Sequence, residues 1–595
     1  MDALADPLKT PLQRGIAALQ NTLGQDAADA LLQPAPIRAD EAACFHFPLP
    51  IDYTGQERRL RIGFPSNFPR GLLRLNVEPS PWLVWPHATR SGLCLHGFQE
   101  RPIMGSPEVV VEDSLARLAQ IVSLSKMGSS QATRDIEFQN EITTYWSFQH
   151  GQSYQNLLLL DRPQAASQLF ALSDPRRAVP SGQETVWLAS NIAALKGHYR
   201  RVVGRSAVIR AAETPGFYVK LQTYPDIRTP DPEDLLLWLT PHLQPDDAEQ
   251  LLAWFELHGT LASRWIVLEL PGGGTDAPTY CLNVRSLGVQ QERGAKFGLR
   301  TARRRPAIAN AHPPALVRAT ALDVLDRASI LSRDISGAAK HLENARVVCV
   351  GVGSLGSAVA IQLARSGVGH LTLIDPDTLV SANLGRHVLG ADSLGRLKAS
   401  ALRDKILLDL PTTECTAYST FAEVVMSSKP EVFDNADIVV ITTADWQSEV
   451  TVWRAKSSGA SWGLLQAWSE PYTQVGHALF APAGNFDGRH LFTDIGDFLH
   501  KFTEWPGGGV IPLPACGESF IPGGSLGMTN IASMVSHTAL RALTGNIATA
   551  SWVSSIYRPE DVPSLGGQYH GPKLPEGAQQ LLLERGWPEH KDETV

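Results

Sequence analysis

Residues 343–398 read ENARVVCVGVGSLGSAVAIQLARSGVGHLTLIDPDTLVSANLGRHVLGADSLGRLK. The stretch opens with a short apolar run, Val347 to Val350, rich in the β-branched residues of a buried strand. Gly351, Gly353 and Gly356 then give G-x-G-x-x-G, and a small-residue helical pattern continues to Ala364. A second apolar run, Leu371 to Ile374, ends in Asp375, 19 residues beyond Gly356. These are the parts of a nucleotide site. Glycines let the backbone approach phosphate, a helix N-terminus favours anions, and a carboxylate suits a ribose hydroxyl. The expected fold is α/β and Rossmann-like. Taken alone, the fingerprint points to a dehydrogenase.

The next residues redirect it. Asp377, Asn383, Arg386 and Lys398 follow as D-x-D, then N-L-x-R, then a lysine opening a helix, and nothing in them serves hydride transfer. With these motifs the region from about Arg333 to Ala481 resembles the adenylating domain of the ThiF/MoeB and ubiquitin-activating enzyme family. The resemblance implies that the turn of Gly351, Gly353 and Gly356 holds ATP, that Asp375, in its D-x-D with Asp377, binds ribose, and that Asn383, Arg386 and Lys398 line the triphosphate. It further implies that Asp445, closing the strand DIVVITTAD, is the Mg-associated aspartate. Arg333, in LSRDI, would reach across a homodimer interface toward the partner's ATP. The residue types suit the reaction: a protein's C-terminal carboxylate attacks the α-phosphate, pyrophosphate leaves, and cations stabilise the charge on phosphate oxygens.

Composition bounds the rest. A chain of 595 residues should hold two to four domains. A net charge of −8 disfavours direct nucleic-acid binding. The start, MDALADPLKT, lacks a signal-peptide core, and no transmembrane run is present. The six cysteines lie far apart without C-x-x-C pairs, against a disulfide scaffold or zinc ribbon. The expected compartment is the reducing cytoplasm, where a free thiolate can do chemistry.

The first domain, residues 1–155, should begin with an amphipathic helix over 12–32 and continue with strands over 42–48, 58–64 and 72–77. Phe64-Pro65 and Phe68-Pro69, then Trp85-Pro86-His87 and Gly92-Leu93-Cys94-Leu95, resemble a divergent ubiquitin-conjugating enzyme, an α+β fold. The resemblance makes Cys94 the acceptor thiol and sets His87 where the family has an oxyanion-stabilising asparagine. Helices are expected over 114–125 and around Phe138-x-x-Glu141-x-x-x-Tyr145-Trp146, the latter read as a core aromatic stripe.

Residues 156–320 read as an α+β linker domain, with strands near 157–160, 185–189 and 217–222, a strand followed by a glycine loop over 260–275, and helices over 231–240 and 246–258. Arg293 to Arg305, with five arginines, reads as a solvated linker face. Residues 321–595 form the adenylation domain, approached by a helical segment over 321–342. Its loop PGGGVIPLPACGESFIPGGS holds Cys516 among glycines and prolines, a surface setting. Activating enzymes of the ubiquitin type keep their acceptor cysteine in such a crossover loop, so the resemblance makes Cys516 the first nucleophile. From Tyr557 the chain reads as a Pro- and Gly-rich tail.

A conjugating module fused to an activating module resembles the proteins of bacterial type II anti-phage (CBASS) operons, where the family joins the C-terminus of a CD-NTase to other molecules. The implied partners are that activated protein, or a ubiquitin-like protein as in other bacterial operons, and a target lysine. Sulfur-carrier adenylation and a non-catalytic ATP-binding scaffold remain as alternatives.

Overall fold

A computed structural model describes residues 10–96, 105–149, 155–178, 184–203, 212–258, 261, 263–272, 277–285, 316–334, 337–513 and 519–588. Helix α1 (Pro11–Leu23) is started by a Thr10–Gln13 capping box with proline in its first turn. The single helix expected over 12–32 breaks at Gly24, whose φ of +85° ends α1, and α2 (Gln25–Leu31) follows. Strands β1 (Gln33–Pro34), β2 (Glu41–Pro48), β3 (Arg59–Pro65) and β4 (Arg74–Glu78) then form an antiparallel sheet in chain order. Leu60, Ile62 and Phe64, at the period of two that puts them on one face of β3, meet Leu19 of α1 and Val110, Val111 and Ile121 of α3 (Pro107–Ser125). Buried Arg61 makes a bidentate bond to Glu41, both contacts 2.7 Å, which fixes β2 against β3.

Helices α4 (Gln131–Asn140) and α5 (Ile142–Gln149) close this body. Adjacent residues of α5 serve two neighbours. Tyr145 lies against Trp82 and Phe138, with ring centroids 5.7 and 5.5 Å away, while Trp146 packs at a tilt on Trp238 and edge-on to Tyr280 of the next body, at 5.9 and 5.5 Å. That body is a mixed sheet in the order β11–β10–β9–β8–β6–β7–β5–β12. Its strands are β5 (Gln155–Leu159), β6 (Ser167–Ala178), β7 (Glu184–Ala189), β8 (Ala212–Lys220), β9 (Ser263–Glu269), β10 (Thr279–Arg285), β11 (Leu316–Ala321) and β12 (Asp323–Val324). Helices α6 (Ile192–Val203) and α7 (Pro245–His258) pack on it. Because Asp323–Val324 pairs with β5, the sheet runs past residue 320. The helix expected over 321–342 is instead this edge strand and two single turns, Arg327–Ile330 and Ala338–His341, the second starting after Gly337 at φ +75°. The Arg293–Arg305 stretch lies outside the described residues.

The last body is an eight-stranded sheet of β13 (Arg346–Val350), β14 (His370–Ile374), β15 (Glu414–Tyr418), β16 (Ile438–Ile441), β17 (Gly463–Ser469), β18 (Val475–Ala481), β19 (Ser551–Tyr557) and β20 (Gln580–Arg585). The order is β15–β14–β13–β16–β17–β18–β19–β20, with the first five strands parallel and the rest antiparallel. Helices α8 (Ser354–Arg365), α9 (Lys398–Asp409), α10 (Trp446–Ser457) and α11 (Ser525–Leu543) cover it. This is the Rossmann-like α/β architecture. Strand order reverses between β13 and β16, and a ligand crevice opens beyond their C-terminal ends. The supposed tail supplies β20, whose alternate burial fits an edge strand. Among the described residues no helix is long and apolar enough to cross a membrane.

Candidate functional site

The crevice is built around the glycine turn. Gly351 leaves β13 at φ +82°, and a Cβ there would lie 2.8 Å from the backbone of Thr443, just after β16. Only glycine fits both the conformation and the approach. A Cβ on Gly356 would strike the Gly351 carbonyl and the Thr442 side chain, so Gly356 lets α8 pack against the turn. Gly353 differs: a Cβ there meets no atom within 4 Å, and α8 starts at this residue without a side-chain cap. Protein packing does not require glycine at 353. Open space over uncapped amides suits a phosphate.

Asp375, 5% exposed, ties the turn to the next loop: its Oδ2 accepts from Val352 N at 2.8 Å and its Oδ1 from Asp377 N at 2.9 Å. Burial pushes its carboxyl pKa up. Asp377 continues the string, its carbonyl accepting from Lys398 N and its carboxylate pairing with Lys398 Nζ, both at 2.8 Å. Lys398 is buried at the start of α9, which also lacks a side-chain cap. Asn383 accepts from Val380 N at 3.1 Å and so closes its own turn. Arg386 is half-buried and donates to the Ile521 carbonyl at 3.3 Å. Asp445 caps α10, accepting from Ser448 N and Oγ at 3.3 and 2.6 Å.

Gly351, Gly353, Gly356, Asp375, Asp377 and Lys398 are thus one connected unit, with Asn383 and Arg386 on the loop it spans. Arg333 is not brought to this unit within one chain. It is exposed, and its neighbour Asp334 lines a hollow with Arg365 and Ser366, at the end of α8 remote from the glycine turn. His387, which no sequence motif marks, also belongs to this unit. It is buried and accepts from Leu389 N at Nδ1, so its Nε2–H donates to the Val352 carbonyl at 2.8 Å. Asp375 and His387 therefore grip the two ends of one residue of the turn. The only signal was a polar side chain leading into the apolar Val388 and Leu389.

These residues fit a polyphosphate: open space at Gly353, two uncapped helix starts and a buried ammonium. Among the described residues no group of three His, Cys, Asp or Glu side chains is arranged to hold a metal ion. Asp445 and Asp377 suit a Mg ion only if phosphate oxygens provide most of its ligands.

The second expected centre lies in the first body. Cys94 is exposed, and its backbone N–H donates to the His87 carbonyl at 2.7 Å. Burial of its surroundings and the Glu141 charge push the thiol pKa up. His87 sits at φ +60°, a conformation costly for a side chain bearing a Cβ. Its Nδ1 is 2.9 Å from Glu141 Oε1 and its Nε2 3.3 Å from Glu137 Oε2. The bond to Glu141 pushes the His87 pKa up. Cys94, His87, Glu137, Glu141, His96 and Arg117 line a cavity of about 420 Å³. The stripe read as core divides accordingly: Trp146 is core, whereas Glu141 faces the cavity. Cys516 lies outside the described residues. Its flanks do not: Ile511–Pro512 pairs with Ser519–Phe520, and the Tyr472 N–H holds the Pro522 carbonyl at 2.6 Å.

Fold and site together define a nucleotide-type crevice at a Rossmann switch point, and residues 326–458 match the ThiF family. The probable adenylyltransferase/sulfurtransferase MoeZ of Mycobacterium tuberculosis is 27% identical over 209 residues, 35% of this chain and 49% of that protein. The ATP-dependent ubiquitin transferase-like protein Cap2 of Enterobacter hormaechei is 31% identical over 140 residues, 20% of this chain and 23% of that protein. The chain thus spans about half or less of the curated relatives it matches. Among solved structures, E. coli MccB with ATP is 18% identical and covers 36% of this chain and 61% of that one, with a TM-score of 0.27.

Proposed function

We propose that this chain activates the C-terminal carboxylate of a protein with ATP and conjugates it to an amine. The observation that carries this reading is the coexistence of two centres in one chain: the glycine turn tied through Asp375 and Asp377 to Lys398, and an exposed cysteine in a cavity with an imidazole. ATP supplies the adenylyl group that turns a carboxylate into a mixed anhydride. Lys398, Arg386 and Asn383 bind and neutralise phosphate oxygens, Asp375 takes the ribose and Asp377 holds Lys398 in place, while Asp445 accompanies Mg. Arg386 gives one N–H to the Ile521 carbonyl and keeps the other donors of its guanidinium for phosphate. In this reading Cys516 attacks the acyl-adenylate and expels AMP, forming a thioester. Cys94 then takes the acyl group by thioester exchange, and an amine, the side chain of a target lysine, completes an amide and frees the thiol. A homodimer in which Arg333 serves the partner's crevice completes the arrangement.

The Cap2 match supports a CD-NTase in anti-phage defence as the activated protein, with a separate ubiquitin-like protein as the variant of the same chemistry. Mass spectrometry of cysteine adducts after Mg·ATP is added in host lysate, with and without thiol reductant, tests the relay. The expected result is a reductant-labile protein adduct on Cys516 and on Cys94 whose mass identifies the partner. Bound ATP with neither adduct, partner present, overturns it in favour of a nucleotide-binding scaffold. Arg386→Ala should abolish both adducts. The MoeZ match favours a second reading, adenylation of a sulfur carrier, in which Cys94→Ala leaves the product unchanged.

A further inference from the structure

Two side chains beside Cys94, Glu141 and Tyr145, have no place in that scheme. The His87 N–H donates to the Tyr145 hydroxyl at 2.8 Å, Tyr145 donates to Glu141 Oε2 at 3.3 Å, and Glu141 Oε1 takes His87 Nδ1 at 2.9 Å. The ring is closed and holds His87 by backbone and by imidazole at once. It accounts for a left-handed residue bearing a large side chain, since two polar anchors fix a conformation that is otherwise costly. Tyr145 is itself buried, 2% exposed and packed between Trp82 and Phe138. Nε2 remains, directed at the looser Glu137 contact of 3.3 Å in the cavity that Cys94 shares.

We propose that Glu141 and Tyr145 are positioning residues that keep His87 aimed, with Nε2–H as donor to the carbonyl oxygen of an acyl group on Cys94. Glu137 is the contact that yields when the acyl group arrives. The reaction served is thioester aminolysis. The amine nitrogen bonds to the carbonyl carbon, and negative charge collects on the oxygen facing Nε2. The C–S bond then breaks, and the Cys94 thiolate takes a proton that the nitrogen loses, so an amide and a thiol result. A fixed donor at a developing oxyanion is worth on the order of a hundredfold or more in rate. The inference rests on the proposed role of Cys94 as an acyl carrier, and on no identity for the acyl donor.

The test uses the full chain, with Cys94 acetylated by the small thioester S-acetyl-N-acetylcysteamine and the adduct followed at Cys94 by peptide mass spectrometry. Discharge by hydroxylamine and by free lysine is timed. Glu141→Gln, nearly isosteric, should slow both by about a hundredfold, and Tyr145→Phe should slow them less. His87→Asn, which restores a neutral donor, is the decisive background: there Glu141→Gln should cost less than about twofold, because Glu141 acts only through the imidazole. Equal cost in both backgrounds overturns the proposal, as does wild-type discharge in Glu141→Gln. Acetylation bypasses adenylation and Cys516, so failure of the relay and failure of this inference register separately.

Discussion

Val352 shows how one residue of the glycine turn is held. Its N–H is taken by Asp375 and its carbonyl by His387, so the amides around Gly353 are fixed before any nucleotide arrives. Lys398 is fixed likewise by Asp377, and Lys398→Ala should lower partner-dependent ATP–pyrophosphate exchange by about a hundredfold while leaving the melting temperature close to wild type. Exchange at the wild-type rate would remove Lys398 from the site. A different single-residue effect governs acid stability. The Arg61 guanidinium holds Glu41 well below the usual carboxylate range, at about 2 against an ordinary 4.5. A depressed carboxyl stabilises the fold fully above its unfolded value and loses that contribution as pH falls from about 4.5 toward 2. Glu41→Gln should therefore cost about 3 kcal/mol at neutral pH, because it leaves a buried guanidinium without its charge partner, and much less near pH 2. Denaturant melts at the two pH values check the difference.

At the scale of elements, the start of α10 carries two roles on one side chain. Asp445 caps the helix through Ser448 and is also the residue proposed to accompany Mg. Asparagine caps as well as aspartate, whereas alanine caps poorly and costs about 1 kcal/mol. Asp445→Asn should keep stability and lose adenylation; Asp445→Ala should lose both. If Asp445→Asn adenylates normally, the cap is the whole role of this side chain. The contrast between the two centres also shows what a sequence can carry. The unit from Gly351 to Lys398 was legible because its parts lie within one βαβ unit and its neighbouring loop, where spacing along the chain stands for distance in space. The Cys94 centre was legible only at Cys94 and His87. Glu141 and Tyr145 reach His87 from 54 and 58 residues away, and their helical pattern reads equally well as core. The break at Gly24 and the edge strand β20 were missed for a related reason. A single glycine or a short alternating segment has no local signature until its partner is known.

At the scale of the molecule, the first and middle bodies are joined by more than a linker. Tyr280 donates to the Thr143 carbonyl at 2.8 Å, Gln149 donates to the Ile227 carbonyl at 2.6 Å, and Trp146, fully buried, sits in the middle core. Trp146→Ala should cost about 3–5 kcal/mol and lower the unfolding temperature of both bodies together. Separate transitions with only one of them shifted would show that the bodies melt independently. Tyr145 and Trp146 are neighbours in the chain, one bolted to the Cys94 ring and the other to the next domain. The thiol-bearing module is not a cassette: recombination at the apparent domain border, near residue 150, would carry Trp146 away from its socket and loosen the tyrosine beside it. Chains of this design should therefore exchange their first two bodies as one inherited block.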